Sequence, residues 1–199
     1  MRRMILLTIL IATTTATTAF ADTIANRFGI TGRVGIVAPF ENDFVEGASD
    51  TDSAFAWNGG FIYGFNDHFA TELEVTYIPE MDVTRNGYTY EAELTDISLG
   101  LQYRFMPEKS LVPFIGIGVD FIEGNLDPDK GNYEMDWTYG GHVNAGLDWF
   151  LTKGIALTTD LRVTAADSGD INGTTTKLEY DPFWFQGTVG FRLILPEKW

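Results

Sequence analysis

From Arg27 to Leu193 apolar and polar residues alternate with a period of two, broken at intervals by turn-forming residues. Successive strand residues point to opposite sides, so each run predicts a β-strand with one apolar and one polar face. In the first run Phe28, Ile30, Gly32, Val34, Ile36 and Ala38 oppose Arg27, Thr31 and Arg33. The second sets Phe55, Trp57, Phe61, Tyr63 and Phe65 against Ala54, Ala56, Asn58 and Gly60. The third sets Phe69, Leu73, Val75 and Tyr77 against Glu72, Glu74 and Thr76, and the fourth Ile97, Leu99, Leu101, Tyr103 and Phe105 against Asp96, Ser98, Gln102 and Arg104. In the second half Ile115, Ile117, Val119 and Phe121 oppose Gly116, Gly118 and Asp120; Trp137, Tyr139, Val143, Leu147 and Trp149 oppose Thr138, His142, Asn144 and Asp148. The last two runs oppose Ile155, Leu157, Leu161 and Val163 to Thr158, Asp160, Arg162 and Thr164, and Phe183, Phe185, Val189, Phe191 and Leu193 to Trp184, Gln186, Thr188 and Arg192. Eight strands result, with no amphipathic helix between them.

The apolar faces of these runs carry no charge at all. A soluble barrel, such as a lipocalin-like carrier, keeps Lys and Glu on its outside. Here Lys109, Lys130, Lys153, Lys177 and Lys198 all fall in predicted turns, loops or the tail. Strands with an uncharged face suit lipid, where every backbone group must be satisfied internally and a closed barrel does so without a free edge. The predicted fold is therefore all-β, an eight-stranded antiparallel up-and-down transmembrane β-barrel. Its connections alternate short (66–68, 106–110, 151–154) with long (39–53, 79–89, 123–135, 165–181), as periplasmic turns alternate with outer loops. Phe65, Phe69, Phe105 and Trp149 near the short turns and Phe55, Tyr77, Trp137 and Phe183 near the long loops predict two aromatic girdles. Pro39, Pro79, Pro113 and Pro182 are placed at strand ends, where a missing N–H is tolerated.

The opposite faces must then share a narrow interior. They bring Arg27, Arg33, Arg104, Arg162 and Arg192 together with Glu72, Glu74, Asp96, Asp120, Asp148 and Asp160, and with His142. Five guanidinium groups against six carboxylates are close to balance, and buried charges are tolerated when paired and hydrogen-bonded. This polar lumen network is the candidate functional feature. An eight-stranded interior is just wide enough for side chains to fill, so the network predicts a barrel closed to bulk ions.

Composition sharpens the picture. The chain has 199 residues, 45% of them hydrophobic, with 13 Lys+Arg against 28 Asp+Glu and a net charge of −15. That hydrophobicity excludes a disordered acidic tail, and the charge argues against nucleic acid as a partner. The absence of cysteine excludes disulfides and thiolate chemistry. Arg2 and Arg3, an apolar stretch from Met4 to Ile11 and Ala19-Phe20-Ala21 read as an export signal over residues 1–21, cleaved after Ala21. The mature domain, 22–199, then lies in the bacterial outer membrane of a Gram-negative cell.

The segments "ITGRVGIVAPFENDF", "GFIYGFNDHFATELEVTYIP", "LTDISLGLQYRFMPEKSLVPFIGIGVDF", "WTYGGHVNAGLDWFL" and "YDPFWFQGTVGFRL" resemble the OmpW family of small outer-membrane proteins over nearly the whole mature chain. The resemblance implies an eight-stranded barrel with a narrow, largely hydrophobic, porin-like passage for transport of small apolar molecules. Two features depart from that pattern. The charged inner face interrupts an apolar passage, and the chain continues past Phe191 and Leu193 through Pro196 to Trp199, so either Trp199 serves as the terminal aromatic that outer-membrane assembly reads or that signal is internal.

No catalytic residue is predicted, and the chain is read as not an enzyme. His142, Asn144 and Asp148 share a face as a catalytic line would, but Asn144 stands where small-barrel lipid A deacylases carry Ser, and no activated nucleophile accompanies them. His68 is placed in a tight, solvated turn. No cofactor and no resident metal site is predicted. Two acidic clusters stand in the long loops: Glu41, Asp43, Glu46, Asp50 and Asp52, and Glu123, Asp127, Asp129, Glu134 and Asp136. Asp127-Pro128-Asp129 begins like a calcium loop, but Gly131 and Thr138 replace ligands that such a loop needs. The predicted partners are outer-membrane lipid and lipopolysaccharide, the outer-membrane assembly machinery, small hydrophobic solutes, and divalent cations at the acidic loops. Two readings of function follow: a conduit for small hydrophobic molecules, or a closed structural barrel that presents acidic loops.

Overall fold

The computed structural model describes residues 23–127, 133–173 and 178–196. The leader at 1–21, Asp129, Gly131 and Trp199 lie outside the described residues. The strands are β1 Phe28–Pro39, β2 Asp50–Thr51, β3 Ala54–Gly64, β4 Phe69–Arg85, β5 Tyr88–Arg104, β6 Leu111–Asp127, β7 Tyr133–Thr152, β8 Ile155–Ala166, β9 Gly169–Ile171, β10 Leu178–Tyr180 and β11 Phe183–Ile194. Eight of them, β1, β3 to β8 and β11, form the barrel, each antiparallel to its neighbours. Closure is made by β1 against β11, from Gly29 opposite Ile194 to Pro39 opposite Trp184. Among the described residues no helix is long and apolar enough to cross a membrane.

The face assignment follows the alternation. Phe61, Leu73, Leu99, Ile117, Val143, Leu161 and Phe191 are exposed at the middle of the barrel wall, while Ile62, Glu72, Glu74, Ser98, His142, Asp160, Arg162 and Arg192 beside them in the chain are buried. Both aromatic belts are exposed, and at the short-turn end the rings pack together, with Tyr103 edge-on to Phe69 (5.2 Å) and Phe105 (4.9 Å). His68 is held at this belt: its Nδ1 lies 2.9 Å from the Arg104 carbonyl and its ring stacks on Tyr103.

The long connections are the main correction. Residues 79–89 are strand, not loop: β4 runs to Arg85 and β5 starts at Tyr88. Asn86 (φ 52°) and Gly87 (φ 79°) make the two-residue turn between them, left-handed at both positions as a type I′ hairpin needs. Likewise β6 continues to Asp127 and β7 begins at Tyr133. Pro79 sits within β4, at the register shift between Ile78 and Met81, where its missing N–H is accommodated. Thr138 lies inside β7 and donates to the Asp167 carbonyl (2.6 Å), so it is a strand residue engaged with the protein's own backbone.

About ten tilted residues cross the bilayer. β4 to β7 are 17 to 20 residues long and β1, β3, β8 and β11 only 11 or 12, so one side of the barrel rises as a wall past the other. The described parts of the two remaining connections pair with each other and with the wall. Val45 bridges Tyr180, Glu46 N–H donates to the Glu179 carbonyl (2.9 Å), and β2 pairs with β4.

Candidate functional site: a layered, ion-paired lumen

The interior is stacked in three layers. Ile24, Ile62, Ala70, Val112, Phe150, Ala156 and Ile194 form an apolar plug at the short-turn end. At the long-loop end Val37, Ala56, Ile78, Met81, Leu94, Ile122 and Trp184 form a second, larger one, capped by Phe44 and Tyr180. Phe44 lies 6.0 Å from Tyr180 and 6.5 Å from Trp184 between ring centroids. The Tyr180 hydroxyl donates to the Asp136 carbonyl (2.6 Å); burial first, then the Asp136 and Glu123 carboxylates, pushes its ionisation well above the usual tyrosine range, so it remains a donor.

Between the plugs lie the charged residues. Arg192 is the hub of the lower half. Its Nη2 donates to both Glu72 oxygens (2.9 and 2.8 Å), its Nη1 to Asp148 Oδ2 (2.6 Å) and its Nε to Thr31 Oγ1 (3.1 Å). Arg104 Nη2 pairs with the same Asp148 oxygen at 2.7 Å, and Gln102 donates to Glu72 at 2.6 Å. The Arg192 guanidinium also stands 5.6 Å from the Phe114 ring centre. Above it, Arg33 pairs with Glu74 and lies 3.9 Å from Glu72, which links the two halves. Arg162 completes this tier: Nη2 to Glu74 at 2.8 Å, Nε to Asp160 at 3.8 Å and Nη1 donating to Ser98 Oγ at 3.2 Å. Asn144 donates to Asp160 at 2.6 Å, and Asn58 to Glu74 and Thr76 at 3.2 and 2.7 Å.

Arg27 stands apart. It lies at the short-turn rim, where Nε donates to the Leu195 carbonyl (2.9 Å) and Nη1 to the Thr23 carbonyl (3.0 Å). The middle layer thus holds four guanidinium groups and six carboxylates. The last group, at the top, is Asp96, Asp120 and His142. His142 Nδ1 lies 2.8 and 2.9 Å from the two Asp120 oxygens, and both Asp96 oxygens lack a hydrogen-bond partner among the described residues.

Glycine placement makes this packing possible. A Cβ on Gly118 would stand 2.4 Å from the His142 ring, one on Gly116 2.3 Å from the Asn144 amide oxygen, and one on Gly146 2.2 Å from Phe114. His142, Asn144 and Asp148 do not form a catalytic line: they bond to Asp120, to Asp160 and to two arginines respectively. Sequence reasoning missed Thr31, Asn58, Gln102 and Phe114 as network partners. Each lies on the inward parity of its strand, and that parity is the signal that finds them.

On the outside of the wall, carboxylates of Glu80, Asp82 and Glu91 come within 4.8 Å of one another, and an open cavity of about 420 Å³ is lined by Glu93, Glu123, Glu134, Asp136 and Trp137.

Solved structures similar to this barrel share its fold at low identity. OprG from Pseudomonas aeruginosa is 18% identical, with a TM-score of 0.69 over 88% of this chain and 99% of that one. Neisserial surface protein A is 11% identical, with a TM-score of 0.63 over 85% and 97%. AlkL, solved in lipid bilayers, is 16% identical, with a TM-score of 0.61 over 88% and 92%. No curated protein sequence matches the chain. The family model described as "Outer membrane protein beta-barrel domain" matches residues 6–192. The chain belongs to the outer-membrane protein β-barrel domain family, and its place is the bacterial outer membrane.

Proposed function

We propose that the protein is an OmpW-type barrel that admits small apolar molecules at its mouth and releases them sideways into the membrane. The observation that carries this reading is the contrast between layers: an apolar mouth around Trp184, Ile78 and Leu94 lies directly above an ionic floor. An uncharged solute gains nothing by displacing paired ions, so its way out of the mouth is through the wall. The β3–β4 ladder offers one place. Pairing with β3 stops at Trp57 opposite Tyr77, and β4 then shifts register against β5 at Ile78/Met81, beside Pro79. Between that point and Asp52, whose N–H donates to the Asp82 carbonyl (2.9 Å), Ala54 and Ala56 have no ladder partner on β4. Phe44 occupies the mouth, and an entering molecule takes its position.

Uptake of a small apolar fluorescent tracer into proteoliposomes tests this. The next inward neighbours above the last β3–β4 pair are Ala56 and Ile78; an Ala56→Cys/Ile78→Cys bridge should abolish uptake, and reductant should restore it. Phe44→Ala should raise uptake. Transport unaffected by the bridge overturns the lateral route. No uptake above protein-free vesicles favours the second reading, a closed, non-enzymatic barrel presenting an acidic wall, which the two apolar plugs support. On either reading, export by a cleaved leader, insertion by the outer-membrane assembly machinery and contact with lipopolysaccharide through divalent cations on the acidic wall are part of the proposal.

A further inference from the structure

The charged layer divides into two parts of different balance. Arg104 and Arg192 face Asp148 and Glu72, and Arg33 and Arg162 face Glu74 and Asp160, two cations to two anions in each tier. These eight groups neutralise one another. Asp96 on β5, Asp120 on β6 and His142 on β7 remain, descending diagonally across three neighbouring strands. Asp96 is 1% exposed and Asp120 is fully buried. The charged groups facing Asp96 are Asp120, Arg162 on β8 and Glu74 on β4, and Arg162 is already engaged with Glu74, Asp160 and Ser98. On β3 and β11 the inward neighbours, Asn58, Trp184 and Gln186, are neutral.

Two ionised carboxylates beside a neutral imidazole would leave the core two charges short, in a region with apolar layers above and below. Uncompensated buried charge is costly, and such groups neutralise instead. Asp120 offers both oxygens to the His142 N–H, and Asp96, whose two oxygens have no donor among the described residues, is the carboxylate beside it. Two acceptors face to face need a hydrogen between them.

We propose that Asp96, Asp120 and His142 form a proton-binding site in the middle of the barrel, holding two protons at neutral pH: one on Asp96, donated to Asp120, and one that makes His142 an imidazolium against Asp120. Balance is then complete, with six carboxylates set against four arginines, one imidazolium and one carboxyl proton. Gly118 and Gly100 are the places where the strand wall makes room for the His142 ring. The site is independent of the transport reading, because it concerns charge held inside the wall whether or not a solute passes above.

Infrared spectroscopy of the wild-type protein in vesicles at neutral pH should show one protonated-carboxyl C=O band that Asp96→Asn removes. Nitrogen NMR should show both His142 ring nitrogens protonated at the same pH. Relative to Asp96→Asn, the wild-type folding equilibrium constant should fall about tenfold for each pH unit above the ordinary Asp range, the signature of one proton released on unfolding. The infrared and NMR readings on wild-type protein stand even where the variant fails to fold. An absent carboxyl band, a neutral His142, or Mg²⁺ or Ca²⁺ retained stoichiometrically after dialysis and lost in Asp96→Asn overturns the proposal.

Discussion

Loss of the Arg192 charge should destabilise the barrel more than loss of its neighbour Arg104. Arg192 is 0% exposed and holds two carboxylates at once, Glu72 through two bonds of 2.8 and 2.9 Å and Asp148 through one of 2.6 Å. Arg192→Met keeps an unbranched side chain of similar reach and removes the charge together with the guanidinium contact to Phe114. Asp148 then retains Arg104 at 2.7 Å, but Glu72 is left with the Gln102 amide and an Arg33 nitrogen 3.9 Å away. Stripping one partner from a buried ionic network costs about 3–5 kcal/mol. Arg104→Met breaks only the contact to an Asp148 that Arg192 still holds, so the cost should be nearer the 1.5–3 kcal/mol of a charged hydrogen bond, on the order of half as much. Arg192→Met combined with Glu72→Gln restores charge parity and should recover part of the loss. Urea unfolding of the protein in lipid vesicles, followed by tryptophan fluorescence and by the gel shift between folded and unfolded barrel, measures all three. Losses below about 1 kcal/mol at both arginines, the range of solvated pairs, would mean that water reaches the network and that the packed-lumen account is wrong.

Leu99→Arg, at a lipid-facing position that is 50% exposed, should cost about 2–4 kcal/mol and impair membrane insertion, whereas Thr89→Arg at the hairpin tip should stay within about 0.5 kcal/mol; equal tolerance would refute the face assignment. Gly118→Val would press into the His142 ring and the Leu99 carbonyl, which lie 2.4 and 2.7 Å from the new Cβ, and should lower stability by about 1–3 kcal/mol with loss of the His142–Asp120 NMR signature. Planar bilayers with the unmodified protein should show little steady conductance, and Arg104→Ala or Arg162→Ala should raise it; a large stable conductance in the unmodified protein contradicts a filled lumen. Chelation of divalent cations should lower the unfolding temperature in lipopolysaccharide-containing membranes but not in phosphatidylcholine vesicles, because the Glu80, Asp82 and Glu91 carboxylates need a bridging cation to lie beside anionic sugar phosphates; no difference would remove that bridge.

Alternation determined the membrane-crossing parts of the eight barrel strands, their inward and outward faces there, and the closed barrel, because a period-two side-chain pattern and the need to satisfy every backbone group in lipid favour closure of eight such runs. It also placed Arg33, Glu72, Glu74, Asp96, Arg104, Asp120, His142, Asp148, Asp160, Arg162 and Arg192 on one set of faces. The upper parts of β4 to β7 were misread as loops because the polarity of the two faces inverts outside the bilayer: Glu80, Asp82, Glu91 and Glu93 point to water while Met81, Val83, Ala92 and Leu94 turn inward. The Asn86-Gly87 turn was the local signal for continued pairing. Which arginine meets which carboxylate was decided by tertiary structure alone. Arg192 and Glu72 are 120 residues apart in the chain and meet across the lumen, and Arg33 is divided from Glu74 in the same way, so their pairing follows from barrel closure and strand register. The two apolar plugs, and the isolation of Asp96, Asp120 and His142 between them, likewise exist only once eight short inward-facing segments are stacked at defined heights, because burial is a property of neighbours that no single strand carries.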